Sequence, residues 1–66
     1  MDREVRELIE ELARQGWRIK NLRSGHVMAF APDQQTIVTL PGTPSDRNWK
    51  RIVLPKLRRG GFRDVR

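Results

Sequence analysis

The sequence predicts a small α+β domain in the order helix, strand, strand, strand, helix (α-β-β-β-α), with a three-stranded antiparallel sheet carrying two helices on one face. Three observations carry that expectation. An apolar stripe at i, i+3, i+4 and i+7 opens the chain, formed by Val5, Leu8, Ile9 and Leu12. Three short alternating or β-branched runs lie between positions 17 and 40, parted by turn residues. A second helical pattern starts after Thr43-Pro44. A chain of 66 residues supports one domain, residues 1–66, with one core. It is too short to cover the second face of its sheet, so that face is expected to stay open.

The first helix is expected over residues 2–15. Asp2 caps its start and Arg14 suits the dipole at its end. Ala13 widens the apolar face, Arg6–Glu10 and Glu10–Arg14 form i,i+4 pairs, and Gly16 stops the helix. Glu7, Glu10 and Glu11 read as a solvated helix face rather than as catalytic carboxylates. Trp17-Arg18-Ile19-Lys20-Asn21 alternates as a half-buried strand, with Trp17 and Ile19 inward and Arg18 and Lys20 outward. Ser24-Gly25 marks a turn.

The second strand, His26-Val27-Met28-Ala29-Phe30-Ala31, has two possible phases. Either His26, Met28 and Phe30 face the core, or Val27, Ala29 and Ala31 do. In the second case the histidine lies on the open face near Arg18 and Lys20. Pro32-Asp33-Gln34 turns the chain, and Thr36–Leu40 is the third strand. Thr43 is placed to cap the second helix, with Pro44 at its first position and Asp46 closing a capping box. Free N–H groups there, with Arg47 close by, suit a phosphate. Trp49, Ile52 and Val53 share one face of this helix, and Arg47, Lys50 and Arg51 the other. Lys56 then falls in the apolar stripe unless Pro55 breaks the helix. The expectation is therefore a helix from about 44 to 53 and a rotated segment carrying Leu57. Gly60-Gly61 ends it, Phe62 tucks back, and the basic tail frays.

The net charge is +6 and unevenly placed. The first fifteen residues are acidic on balance. The remainder sets eleven Lys or Arg against Asp33, Asp46 and Asp64. A basic body of this kind favours polyanions as partners. With no cysteine and one histidine, a disulfide or a four-ligand zinc site is not expected, and no cofactor is implied. The charged start Met1-Asp2-Arg3-Glu4 is unlike a signal peptide, and no apolar run spans a bilayer. The expectation is a cytoplasmic protein with no membrane partner.

Histidine is the one side-chain type whose ordinary pKa lies near neutrality, and the chain holds a single one, so His26 is the first candidate for moving a proton. The series Gly-Trp, basic strand, Gly25-His26, apolar strand, Pro-Asp turn, β-branched strand, Thr43-Pro44-Ser45-Asp46-Arg47, basic helix and Leu57-Arg58-Arg59-Gly60-Gly61-Phe62 resembles the HicA-like toxins. These are small mRNA interferases with a double-stranded-RNA-binding-domain-like fold, and the actinobacterial and phage variants look most similar. The resemblance runs from about Leu8 to Phe62. The family motif usually reads Gly-Ser-His where this chain has Ser24-Gly25-His26, and Pro55 lies in a helix that is ordinarily continuous.

The resemblance implies an endoribonuclease that cleaves single-stranded mRNA without metal, with His26 catalytic. It also implies an acidic HicB-like antitoxin that covers His26. The chemistry is self-consistent, because RNA carries its own nucleophile in the 2′-hydroxyl. A neutral histidine removes its proton, and Lys20, Arg23 or Arg47 stabilises the phosphate. With no second histidine as the acid, turnover should be slow. The alternative is a non-catalytic basic nucleic-acid-binding module, held to phosphates by Arg18, Lys20, Arg47, Lys50 and Arg51, with Phe30 as a stacking platform.

Overall fold

The computed structural model describes residues 2–63 and has the expected order. Helix α1 spans Arg3–Arg14. The Asp2 carboxylate caps it, accepting from the Glu4 amide at 2.8 Å. Val5 and Leu12 are fully buried, and Leu8 and Ile9 pack partly against the core. Ala13 does not widen this face. It is exposed, lying about 80° round the helix from Val5. The ion pairs also differ from those expected. Arg3 meets Glu7 at 3.2 Å, and Arg14 turns to Glu11, whose other oxygen accepts from Gln15 at 3.0 Å. Exposed pairs differ by only a few tenths of a kcal/mol, so such exchanges cost little.

Strands β1 (Arg18–Asn21), β2 (Val27–Phe30) and β3 (Ile37–Leu40) form one antiparallel sheet in that order. The phase left open by the sequence is settled. Val27, Ala29 and Ala31 are buried, with Val38 and Leu40 beside them. The other side carries Arg18, Lys20, Met28, Phe30, Ile37 and Thr39, all exposed or half-buried. Both helices cover the first side: α1 lies against β1 and α2 against β3.

The β2–β3 turn is built on Asp33. Its carboxylate accepts from the Gln35 and Thr36 amides and the Thr36 hydroxyl at 2.8–2.9 Å. These bonds, led by the one from the Thr36 amide, hold the Asp33 carboxyl below its ordinary range.

Helix α2 spans Trp49–Arg59 and corrects two expectations. It starts later than position 44, because Asp46 does not close a capping box. Its side chain accepts instead from the Asn48 amide at 2.9 Å, which makes a local turn that competes with helix. The helix therefore begins behind Asn48, which supplies no side-chain cap. It also continues through Pro55. The buried stripe is Trp49, Val53 and Leu57, spaced by four, which leaves Lys56 outside it. Ile52, expected inward, is 57% exposed. Pro55 is itself exposed, so the Arg51 carbonyl that loses its partner lies on the solvent side, where water reaches it. Apolar burial on both sides of the proline outweighs the lost bond.

Both helices stop by the same device. Gly16 and Gly61 have φ of +95° and +102°. The next residue in each case, Trp17 or Phe62, donates back to the carbonyl of Leu12 or Leu57 at 3.0 Å. The two sequences, Leu12-Ala-Arg-Gln-Gly-Trp-Arg18 and Leu57-Arg-Arg-Gly-Gly-Phe-Arg63, share the leucine, the arginine two positions on, the glycine and the last arginine, with an aromatic after the glycine in both. The two ends meet. A Cβ on Gly60 would lie 2.7 Å from the Trp17 ring and 3.0 Å from the Ala31 methyl. The Gln15 side chain then holds the Arg63 backbone, accepting from its amide at 2.8 Å and donating to its carbonyl at 2.6 Å. Phe62 is buried as expected. The expected fraying of the tail concerns residues 64–66, outside the described residues.

Two outcomes follow. Pro55→Ala restores the missing donor, and a gain of about 1–3 kcal/mol in urea unfolding is expected once the looser unfolded chain is allowed for. An unchanged midpoint would show that the proline costs the helix nothing. Because the folded Asp33 pKa is depressed, its contribution is complete above the unfolded value near 3.9 and fades as pH falls through the folded one. Asp33→Asn should therefore flatten the acid limb of a stability–pH curve and leave the neutral limb parallel to wild type.

Candidate nucleic-acid interface

The β1–β2 hairpin closes through a three-residue loop, Arg23-Ser24-Gly25. The Gly25 amide donates to the Leu22 carbonyl at 3.1 Å, and the Leu22 amide to the His26 carbonyl at 2.9 Å. Gly25 sits at φ +92°, as the last residue of such a loop requires. By pleat alternation His26 belongs to the open side of β2, with Met28 and Phe30, and it is exposed. Its Nδ1 lies 3.0 Å from the Ser24 hydroxyl. That contact occupies one ring nitrogen and leaves Nε2 for a substrate. If Nδ1 carries the proton and donates to Ser24, Nε2 is a base. If the hydroxyl donates, the neutral ring carries its proton on Nε2, which is then a hydrogen-bond donor and not a base.

The turn is held from the end of β3. A Cβ on Gly42 would fall 1.8 Å from the Gly25 carbonyl oxygen, so the two backbones are in direct contact. The Gly42 carbonyl in turn accepts from the Asp2 amide at 3.0 Å. Asn21, Leu22, Gly25, Gly42 and Thr43 line a groove of about 300 Å³ beside His26.

Away from His26 the open face presents two cross-strand rows. Arg18, Phe30 and Ile37 are in register, as are Lys20, Met28 and Thr39. Arg18, Lys20 and Phe30 also border a second, open groove of about 900 Å³ that reaches Pro32 and Gln34. Among the described residues Arg18, Lys20 and Arg23 have no ion-pair partner.

The remaining cationic candidates lie elsewhere. Arg47 sits in the loop before α2, on a groove shared with Asp2, Arg3 and Glu4. Lys50 pairs with Glu4 at 3.6 Å and lies over the Trp49 ring at 5.8 Å. Arg51 is exposed on α2, in the helical layer behind the sheet. Arg18 and Lys20 thus share the open face with His26, and Arg23 shares its turn. Lys50 and Arg51 are carried by α2 behind the sheet, and Arg47 by the loop that leads into it.

The chain matches no family model, no curated protein and no solved structure at a significant level. Its functional reading therefore rests on its own residues. Among the described residues no group of three or more His, Asp or Glu converges as metal ligands. Among the described residues no helix is long and apolar enough to cross a membrane. Sequence reasoning missed the Ser24 contact with the His26 ring, and Gly42 and Thr43 as neighbours of His26. A hydroxyl two residues before a histidine in a tight turn was a usable signal for the first. The Gly42 contact is a tertiary approach with no local signature.

Gly42→Ala puts a methyl where the Gly25 carbonyl now lies. The expected result is a loss of about 1–3 kcal/mol in stability, together with a shift of the His26 ring resonances as the turn moves. Resonances that stay in place would show that the turn does not depend on Gly42.

Proposed function

We propose that this protein is a metal-independent endoribonuclease of the HicA-like toxin kind, cleaving single-stranded mRNA through His26. The observation that carries the reading is the placement of His26. It is an exposed imidazole with one nitrogen held by Ser24, on the side of the sheet that also presents Arg18 and Lys20, which have no ion-pair partner among the described residues. RNA supplies the nucleophile, so the protein supplies proton transfer and charge. Nε2 of His26 accepts the 2′-hydroxyl proton while that oxygen attacks phosphorus. The P–O5′ bond breaks, leaving a 2′,3′-cyclic phosphate, and the 5′-oxygen takes a proton from the imidazolium or from water. Arg23, in the same turn, or Lys20 offsets the extra charge on the phosphate.

The acidic first helix against a basic body, and the exposure of His26, suit an acidic HicB-like antitoxin that covers the histidine. A cytoplasmic protein of bacterial or phage origin fits the same reading.

A second reading keeps the ligand and drops the cleavage, as a basic nucleic-acid-binding module. The presence of Phe30 between Arg18 and Ile37 favours it, since an aromatic at the far end of the face serves binding and not proton transfer.

RNA cleavage in EDTA separates the two. His26→Ala should lower the rate at least about 10²-fold while RNA affinity stays within a few-fold of wild type. If wild type does not cut, the protein is the binding module.

A further inference from the structure

We infer that the 900 Å³ groove on the open sheet face is a subsite for one unstacked nucleotide of a single-stranded RNA, with Phe30 as its floor and Arg18 and Lys20 as its phosphate contacts. The inference rests on RNA being the ligand, not on His26 cutting it. The groove is of a size that takes a small organic ligand. Its floor is an aromatic side chain only partly covered; Ile37, 54% exposed, lies directly across the ladder from it, outside the groove. Arg18 is in register with Phe30 on its other flank, and Lys20 stands two residues further on the same side. Neither cation has an ion-pair partner among the described residues. Gln34, held at φ +63°, puts an amide-bearing residue at the rim.

An aromatic face flanked by free cations fits a nucleobase with its phosphates. A base inside a duplex has both π-faces already stacked, so the fit is to a single strand. A second copy of this chain fits poorly, because two-fold pairing of the face would set Arg18 and Lys20 against the same cations.

The subsite has a fixed relation to the histidine. Phe30 ends β2 and His26 immediately precedes it, four residues away along the extended chain and roughly 13 Å at the usual rise. A strand of about four nucleotides spans that distance even when fully stacked. The subsite therefore binds the RNA away from the bond that His26 would break, and longer RNAs gain from it where dinucleotides do not.

The test uses the full chain and a 2′-O-methyl octanucleotide, which cannot be cleaved, with binding read by fluorescence anisotropy at several salt concentrations. Phe30→Leu should weaken binding about tenfold or more without changing the salt slope. Arg18→Gln should lower the slope by roughly 0.7. Lys56→Gln, on the exposed side of α2, should change affinity little. An abasic octamer should bind wild type as weakly as the full octamer binds Phe30→Leu, a comparison that needs no variant to fold. The inference fails if Phe30→Leu binds within twofold of wild type, if the abasic strand binds as well as the full one, or if duplex outcompetes single strand. Cleavage of unmodified RNA is scored separately. If Phe30→Leu loses affinity but nothing cuts, the subsite stands and the nuclease reading falls. If cutting requires His26 but Phe30→Leu binds and cuts normally, the nuclease reading stands and the subsite falls.

Discussion

The rest of the structure depends on how little space β2 takes up on its inner side. Val27 and Ala29, with Ala31 just after the strand, are small, and they share one core cluster with Trp17, Trp49, Leu12 and Leu57. Two indoles and the leucines of both helices already fill the gap between helices and sheet, so bulkier residues on β2 would force the layers apart. Turning the small residues inward leaves Met28, Phe30 and His26 outside. The open face is thus the complement of the core, and its chemistry is fixed by what the core cannot accept.

This also explains which parts were legible in the sequence. The helix stripe of Val5 and Leu12, the alternation around Ile19 and the turns at Ser24-Gly25 and Pro32-Asp33 are local signals, and each came out where expected. The phase of β2 is not local. Met28 and Phe30 are the more apolar set by size, and only the volume supplied by the tryptophans decides against burying them. The start of α2 was misread because Asp46 serves equally as a capping-box partner or as the acceptor in a turn of its own. The continuity of α2 through Pro55 depends on Trp49 and Leu57 being buried on either side of it, a tertiary gain that propensity does not contain. For the site, the exposure of His26 followed from the strand phase, and the placement of Lys50 and Arg51 behind the sheet followed from the layer order. Neither could be read from charge counts.

The division of the cations changes what net charge means here. A total of +6 suggests one basic surface, yet Lys50 is engaged with Glu4, and Arg51 lies behind the sheet. Long-range attraction of a polyanion draws on the whole charge, whereas docking at His26 draws only on the cations of its own side. Salt should therefore affect the rate of encounter more widely than it affects the geometry of the bound state.

The meeting of the two helix ends has a consequence for the order of folding. The Gln15–Arg63 contact joins residues 48 positions apart, so the loop it closes runs from the end of α1 to just past the end of α2. Closing a loop of that length costs about 3–4 kcal/mol of chain entropy, while the hairpins on either side of β2 close short loops cheaply. The meander therefore suits an early nucleus, and the seat of Gly60 on Trp17 suits the latest step. Loosening should begin at this same seam, where Trp17 would be the first indole to meet water, while the turn that carries His26, at the other end of β2, is still in place.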